Sequence, residues 1–155
     1  MNAKIIIEKA NQIIKGCETA YFGVIDEDGF PSVSTVSPVN PENILEVFFT
    51  TNTDGNKAKR LRKSDKASIC FHAGGANITL VGTAEIRTDQ ETKSRCWQDW
   101  FIGQYPGGET DPDYIVVKVT TKRVSLWVDN EGAALTADEL FAALGMGGRS
   151  SEETK

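Results

Sequence analysis

Apolar residues recur at two periods along the chain, and the switches between them mark out its elements. Over residues 2–15, Ile6, Ala10, Ile13 and Ile14 return at helical spacing while Lys4, Glu8, Lys9 and Lys15 fall elsewhere, and Gly16 stands where a helix would stop. Ala20 to Ile25 reads as a strand, Asp26-Glu27-Asp28-Gly29 as a hairpin turn, and Phe30 to Val39 as the return strand. That return strand is rich in small hydroxyl residues, and its Val33 and Val36 break strict alternation. Asn40-Pro41-Glu42-Asn43 predicts a second turn, and Ile44 to Thr51 a third strand.

Further along, a short basic helix begins near Asn56. Lys66 to His72 alternates as a fourth strand, Gly74-Gly75 turns the chain, and Asn77 to Arg87 is a long fifth strand. Residues 89–101 predict a helix that Asp89 can cap, with Trp97, Trp100 and Phe101 on its apolar face. A loop follows from Tyr105 to Asp113, then a sixth strand from Tyr114 to Thr120 and a seventh from Arg123 to Val128. Thr136-Ala137-Asp138-Glu139 is a capping box opening a last short helix through Leu140, Phe141 and Leu144, and the polar tail from Gly147 to Lys155 is expected to be disordered. Six or seven strands with few, short helices predict a mainly β domain over residues 1–146, folded as a closed or nearly closed antiparallel barrel.

Composition narrows the partners. The chain has 155 residues, 39% of them hydrophobic, enough for one full core. Its net charge of -5 argues against a general nucleic-acid binder. No apolar run approaches the roughly 18 residues that span a membrane, and Met1 to Lys15 lacks the apolar stretch of a signal peptide. Cys17, Cys70 and Cys96 are odd in number and far apart, which fits reduced thiols packed as small hydrophobes in a cytoplasmic protein.

Against this acidic background, Lys57, Lys59, Arg60, Arg62, Lys63 and Lys66 gather six of the 17 Lys and Arg residues. They follow an apolar strand and the hydroxyl-rich loop Thr50-Thr51-Asn52-Thr53. Hydroxyls, backbone N–H groups and a lysine at a helix start are the parts of an anion site, so a bound phosphate is expected here. Lys57 and Arg60 share a helix face, whereas Lys59, Arg62 and Lys63 point elsewhere and are expected to be solvated. His72 is the sole histidine and has no partner visible in the sequence. No nucleophile motif, metal-binding His pair or P-loop is present.

Taken in order, these stretches resemble the flavin-binding split-barrel proteins related to pyridoxamine 5'-phosphate oxidase, over about residues 18–128. The resemblance lies in Asp28-Gly29-Phe30-Pro31 leading into Ser34-Thr35-Val36, in Phe49-Thr50-Thr51-Asn52 followed by Asn56-Lys57 and Leu61, in Asn77 to Glu85, and in Arg123-Val124-Ser125-Leu126-Trp127. It implies an antiparallel split barrel that binds FMN, with the flavin at a homodimer interface. It also implies roles. Ser34, Thr35 and Val36 would run along the flavin ring and ribityl chain, Thr50 and Thr51 would make strand-end contacts, and Asn56 and Lys57 would match an Arg-Lys pair on the phosphate. Asn77 would take the place of a cofactor-binding glutamine, and Trp127 that of an aromatic reaching the flavin across the dimer.

Two departures from the family qualify this. Asn56 removes one phosphate cation unless Arg60 or Arg62 replaces it. Val128-Asp129-Asn130-Glu131-Gly132 stands where the true oxidases carry an Arg- and His-rich substrate motif, which argues against pyridoxamine 5'-phosphate oxidase activity. The segment from Trp97 to Asp113 looks like the smaller, general-stress-protein-like branch. The implied function is an FMN-dependent oxidoreductase acting on an undefined small molecule, with Trp97, Trp100, Phe101 and Tyr105 near the substrate mouth. A flavin-binding or stress-response module without turnover is the alternative, as is the same barrel holding a deazaflavin or haem.

Overall fold

A computed structural model of the protein describes residues 1–145; the polar tail lies outside the described residues. Helix α1 (Ala3–Lys15) starts at Asn2, whose side chain accepts from the Ile5 N–H at 2.9 Å, and it buries Ile6, Ile7, Ala10 and Ile14. Seven strands follow: β1 (Ala20–Ile25), β2 (Pro31–Val36), β3 (Glu46–Asn52), β4 (Lys66–Ala73), β5 (Ala76–Arg87), β6 (Tyr114–Val128) and β7 (Glu131–Thr136). Helix α2 (Asn56–Leu61) lies between β3 and β4, α3 (Gln90–Cys96) follows β5, and α4 (Ala137–Ala143) ends the described chain behind the Thr136–Glu139 capping box.

The strands form one antiparallel sheet in the order β2-β1-β4-β5-β6-β3, with β7 also paired to β6. Alternate residues of β1, β4 and β5 point inward and are buried, so Phe22, Ile69, Phe71, Ile78 and Leu80 meet in a single core. Phe22 and Phe49 meet edge to face with ring centroids 4.6 Å apart. A second, smaller cluster gathers Val39, Cys96, Phe101, Tyr105, Tyr114 and Val116. Cys17 and Cys96 are buried thiols that burial pushes up, Cys70 is half-buried, and none is in a disulfide.

Four expectations change. A closed barrel is not formed: the sheet ends at β2 and β3, which share no ladder. The two margins touch at an isolated bridge between Pro38 and Phe49, beside which the Val39 N–H donates to Phe48 O at 2.8 Å. The strands expected at 114–120 and 123–128 are one strand, β6, kept continuous by a bulge. Val81 pairs with Arg123 and Gly82 with Thr121, so Lys122 is the extra residue.

The helix expected over 89–101 ends at Cys96. Trp97 turns extended, with φ -62° and ψ 136°, and a 3-10 turn (Asp99–Gly103) follows. The break lets Trp97 and Tyr105 close on Tyr114, with ring centroids at 5.3 and 5.1 Å. Finally, β7 had no counterpart in the pattern of the sequence. It returns through Asp129 and Asn130, both at positive φ (53° and 61°), the geometry of a two-residue hairpin turn.

Candidate functional site

The unclosed margin of the sheet is where the chemistry gathers. Between the free edges of β2 and β3 lies a cleft of about 530 Å³, closed at one end by α2 and at the other by the 3-10 turn. An edge strand has unpaired backbone N–H and C=O groups on one side, which a planar heteroatom-rich ligand can meet. β2 supplies Ser34, Thr35 and Val36, β3 supplies Thr50, Thr51 and Asn52, α2 supplies Asn56, Lys57 and Arg60, and the turn supplies Trp100, Phe101 and Gln104.

Electrostatically the lining is one-sided. In a chain of net charge -5, not one Asp or Glu lines the cleft. The side chains offered are hydroxyls, amides, aromatics and two cations. Among the described residues, Lys57 Nζ and the Ser34, Thr35 and Thr51 hydroxyls have no hydrogen-bond or ion-pair partner within the chain. Helix α2 is only six residues long, so its dipole adds little to the charge of the cleft beside the side chains of Lys57 and Arg60. Gly55 precedes it, and a Cβ there would stand 3.2 Å from Asn52 O and 3.6 Å from Thr51 Oγ1, crowding the turn that presents Thr51.

Aromatic residues shape the other end. Trp100 is 64% exposed over the mouth, with its indole N–H donated to Gln98 Oε1 at 2.7 Å. Phe101 is buried beneath it, and Gln104 Nε2 donates to Asn52 Oδ1 at 3.3 Å, tying the turn to the end of β3. Tyr105 is buried behind Thr50 with its hydroxyl unpartnered. Burial pushes the phenol up, while the nearby Thr50 hydroxyl opposes that shift without reaching hydrogen-bond geometry. Of the four aromatics expected near the mouth, Trp100 and Phe101 line the cleft, whereas Trp97 and Tyr105 pack below it.

Seven of the nine residues expected to hold the cofactor meet here: Ser34, Thr35, Val36, Thr50, Thr51, Asn56 and Lys57. Asn77 and Trp127 do not. They are a registered pair on β5 and β6, on the outer face of the sheet. Along the sheet they stand three and four strand spacings from β2, roughly 14 and 19 Å. His72 Nδ1 lies 3.0 Å from Asn77 Oδ1, the partner its sequence context did not reveal, and the Trp127 ring lies over Gly132. That outer face also exposes Tyr21, Ile25 and Val33. Thr19, Ser37 and Gln104 also line the cleft without having been expected. Ser37 extends the hydroxyl run of β2 and was within reach of the sequence, whereas Gln104 and Thr19 carry no signal there.

The residues fit a phosphorylated, ring-bearing cofactor: unpaired donors and cations at one end, a free strand edge along the middle, aromatics at the other. Among solved structures, a Clostridium acetobutylicum protein related to general stress protein 26 of B. subtilis, of the pyridoxinephosphate oxidase family, aligns with a TM-score of 0.79 at 24% identity, covering 90% of this chain and 99% of that one. General stress protein 26 from Bacillus anthracis aligns at 0.70 and 18% identity, covering 87% and 100%. A heme binding protein from Mycobacterium smegmatis aligns at 0.68 and 18%, covering 88% of this chain and 60% of that chain. At these identities the likeness is one of fold. No curated protein matches the chain. The family model described as "Pyridoxamine 5'-phosphate oxidase like" matches residues 6–148, and the chain belongs to that family.

Proposed function

We propose that the protein is an FMN-binding flavoprotein of the split-barrel type, acting as an oxidoreductase on an undefined small molecule. The observation that carries this is the carboxylate-free cleft, with Lys57 and the Thr51 hydroxyl unpaired among the described residues at one end and the free edge of β2 along its side. Lys57, Thr50, Thr51 and Asn56 would hold the phosphate. Ser34, Thr35 and Val36 would face the ribityl chain and the ring edge. Trp100 and Phe101 would keep water from the ring. When bound, the flavin supplies the hydride or electron transfer; the chain supplies binding, orientation and a covered site.

Asn77 and Trp127 enter this proposal through a second copy. They do not line the cleft of their own chain, and the outer face they occupy exposes Val33 at 67% and Tyr21 and Trp127 at 45% each. A homodimer that buried those faces would bring the Asn77–Trp127 pair of one chain to the cleft of the other.

One neighbour of this fold is a heme binding protein, which keeps haem as a second reading. The cleft lining holds no His, Cys or Met to serve as an axial ligand, and His72 lies outside it, paired to Asn77. A deazaflavin would use the same donors as FMN. The visible spectrum of the purified protein separates these: a flavin spectrum, with FMN released on denaturation, is the expected result. A colourless protein that gains no flavin signal when FMN is added refutes the proposal. Lys57→Ala is expected to weaken FMN binding roughly tenfold or more, by loss of a charge-assisted contact. Anaerobic mixing with NADH or NADPH distinguishes an enzyme, which bleaches, from a flavin-binding module that does not turn over.

A further inference from the structure

Asn56 leaves Lys57 as the one cation at a position where the family resemblance implies two. Two arginines lie close enough in sequence to restore the second. Arg62 is occupied elsewhere: its NH1 and NH2 donate to Thr53 O and Thr53 Oγ1, each at 3.0 Å, and it does not line the cleft. Arg60 does line it, three residues beyond Lys57 on the same helix face.

The surroundings of Arg60 fix its guanidinium. Nε donates to Glu27 Oε1 at 3.1 Å, NH2 to Glu27 Oε2 at 3.4 Å, and NH1 to Ser32 Oγ at 3.1 Å. Glu27 sits in the turn between β1 and β2 and does not line the cleft. The carboxylate therefore stands outside the lining of the ligand space. A guanidinium has five N–H groups in a rigid fork, so three contacts leave two donors free. The side chain is only 21% exposed, which means its orientation is set by packing as well as by the ion pair. An exposed Lys in the same place would have no such restraint.

We infer that Arg60 is the second cation of the phosphate subsite, held in place by Glu27 and Ser32 and replacing the arginine that Asn56 displaces. The inference rests on the FMN proposal and adds which side chain discriminates phosphorylated from unphosphorylated flavin. It also ties the phosphate end of the cleft to Glu27 in the β1–β2 turn.

Titrating FMN and riboflavin separately into wild type, Arg60→Ala and Arg62→Ala tests it. The expected result is that Arg60→Ala weakens FMN roughly ten- to a hundredfold while riboflavin affinity stays within about twofold. Arg62→Ala should leave the ratio of the two affinities unchanged. A purely structural role would weaken both flavins alike and overturns the inference. So does an Arg60→Ala protein with wild-type FMN affinity, and in that case the FMN proposal survives, because wild type still binds. A wild-type protein that binds neither flavin overturns both. If Arg60→Ala does not fold, Arg60→Gln, which can still donate to Ser32, is read by the same ratio, in which general loosening cancels.

Discussion

Tyr105 is a buried phenol whose hydroxyl finds no hydrogen-bond partner among the described residues. Leaving a buried hydroxyl unpaired costs about 1–3 kcal/mol, so Tyr105→Phe is expected to stabilise the cofactor-free protein by about 1 kcal/mol, read as a higher urea midpoint at unchanged slope. A lower midpoint would show that the phenol is bonded after all. Asp89 works the other way. It caps α3 by accepting from the Thr92 N–H at 3.0 Å and hydroxyl at 2.7 Å, and also accepts from Arg87 Nε at 3.0 Å. The hydrogen bonds from Thr92, then that from Arg87, hold its carboxyl well below the ordinary value of 3.8. Because the folded value is depressed, its stabilisation is complete above the ordinary value and is lost as the pH falls below it. Asp89→Asn should flatten the fall in melting temperature between about pH 4 and pH 2; an unchanged acid limb would count against this role. Both residues were partly legible beforehand. Asp89 stood where a cap belongs, but whether an aromatic such as Tyr105 faces a cleft or a core depends on distant residues that no local spacing encodes.

Among the elements, β1, β4, β5, α1 and α4 were readable because each has one buried face and therefore a clean period. Thr120-Thr121-Lys122 interrupts the apolar alternation of β6, so the pattern there predicts two strands. The interruption is a bulge, and Gly82 opposite it is what allows the strand to continue. A Cβ on Gly82 would come within 1.9 Å of Thr120 O and 3.0 Å of Lys122 N, both backbone atoms that cannot swing aside. Gly82→Ala is expected to cost about 3 kcal/mol, measured as a drop in thermal midpoint or loss of soluble protein. A mutant as stable as wild type would mean that the bulge can move. β7 carries only a shallow alternation: Ala133 and Leu135 are only partly buried, while Glu131, Ala134 and Thr136 face solvent. Residues 128–132 are the end of β6, the Asp129–Asn130 turn and the start of β7.

For the molecule as a whole, the exposed outer face of β1, β2, β5 and β6 predicts association. Sedimentation should give twice the 16.9 kDa mass of the chain. Val33→Asp, placed at the most exposed apolar position of that face, should shift it toward monomer and weaken FMN binding in parallel. Tight FMN binding by a monomer would separate the two. The hydrophobic pattern foretold an antiparallel sheet curled on itself. It could not foretell that the margin stays open, because closure depends on how the two edge strands meet and not on either strand alone. The gap between the two edge strands is the cleft.

The openness of that margin also has a consequence for time. β4 with β5, and β6 with β7, are hairpins of neighbouring strands, and β1 with β2 is a third. β3 has no such neighbour: its ladder runs to β6, pairing Thr50 with Val116 and Thr51 with Ile115 across more than sixty intervening residues. Contacts so distant along the chain close slowly, since the loop entropy is lost before any pairing compensates it. The threonines that face the cleft ride on that ladder. During refolding, secondary structure should therefore be recovered before the capacity to capture FMN, and the ligand would meet the protein only at the last step of its assembly.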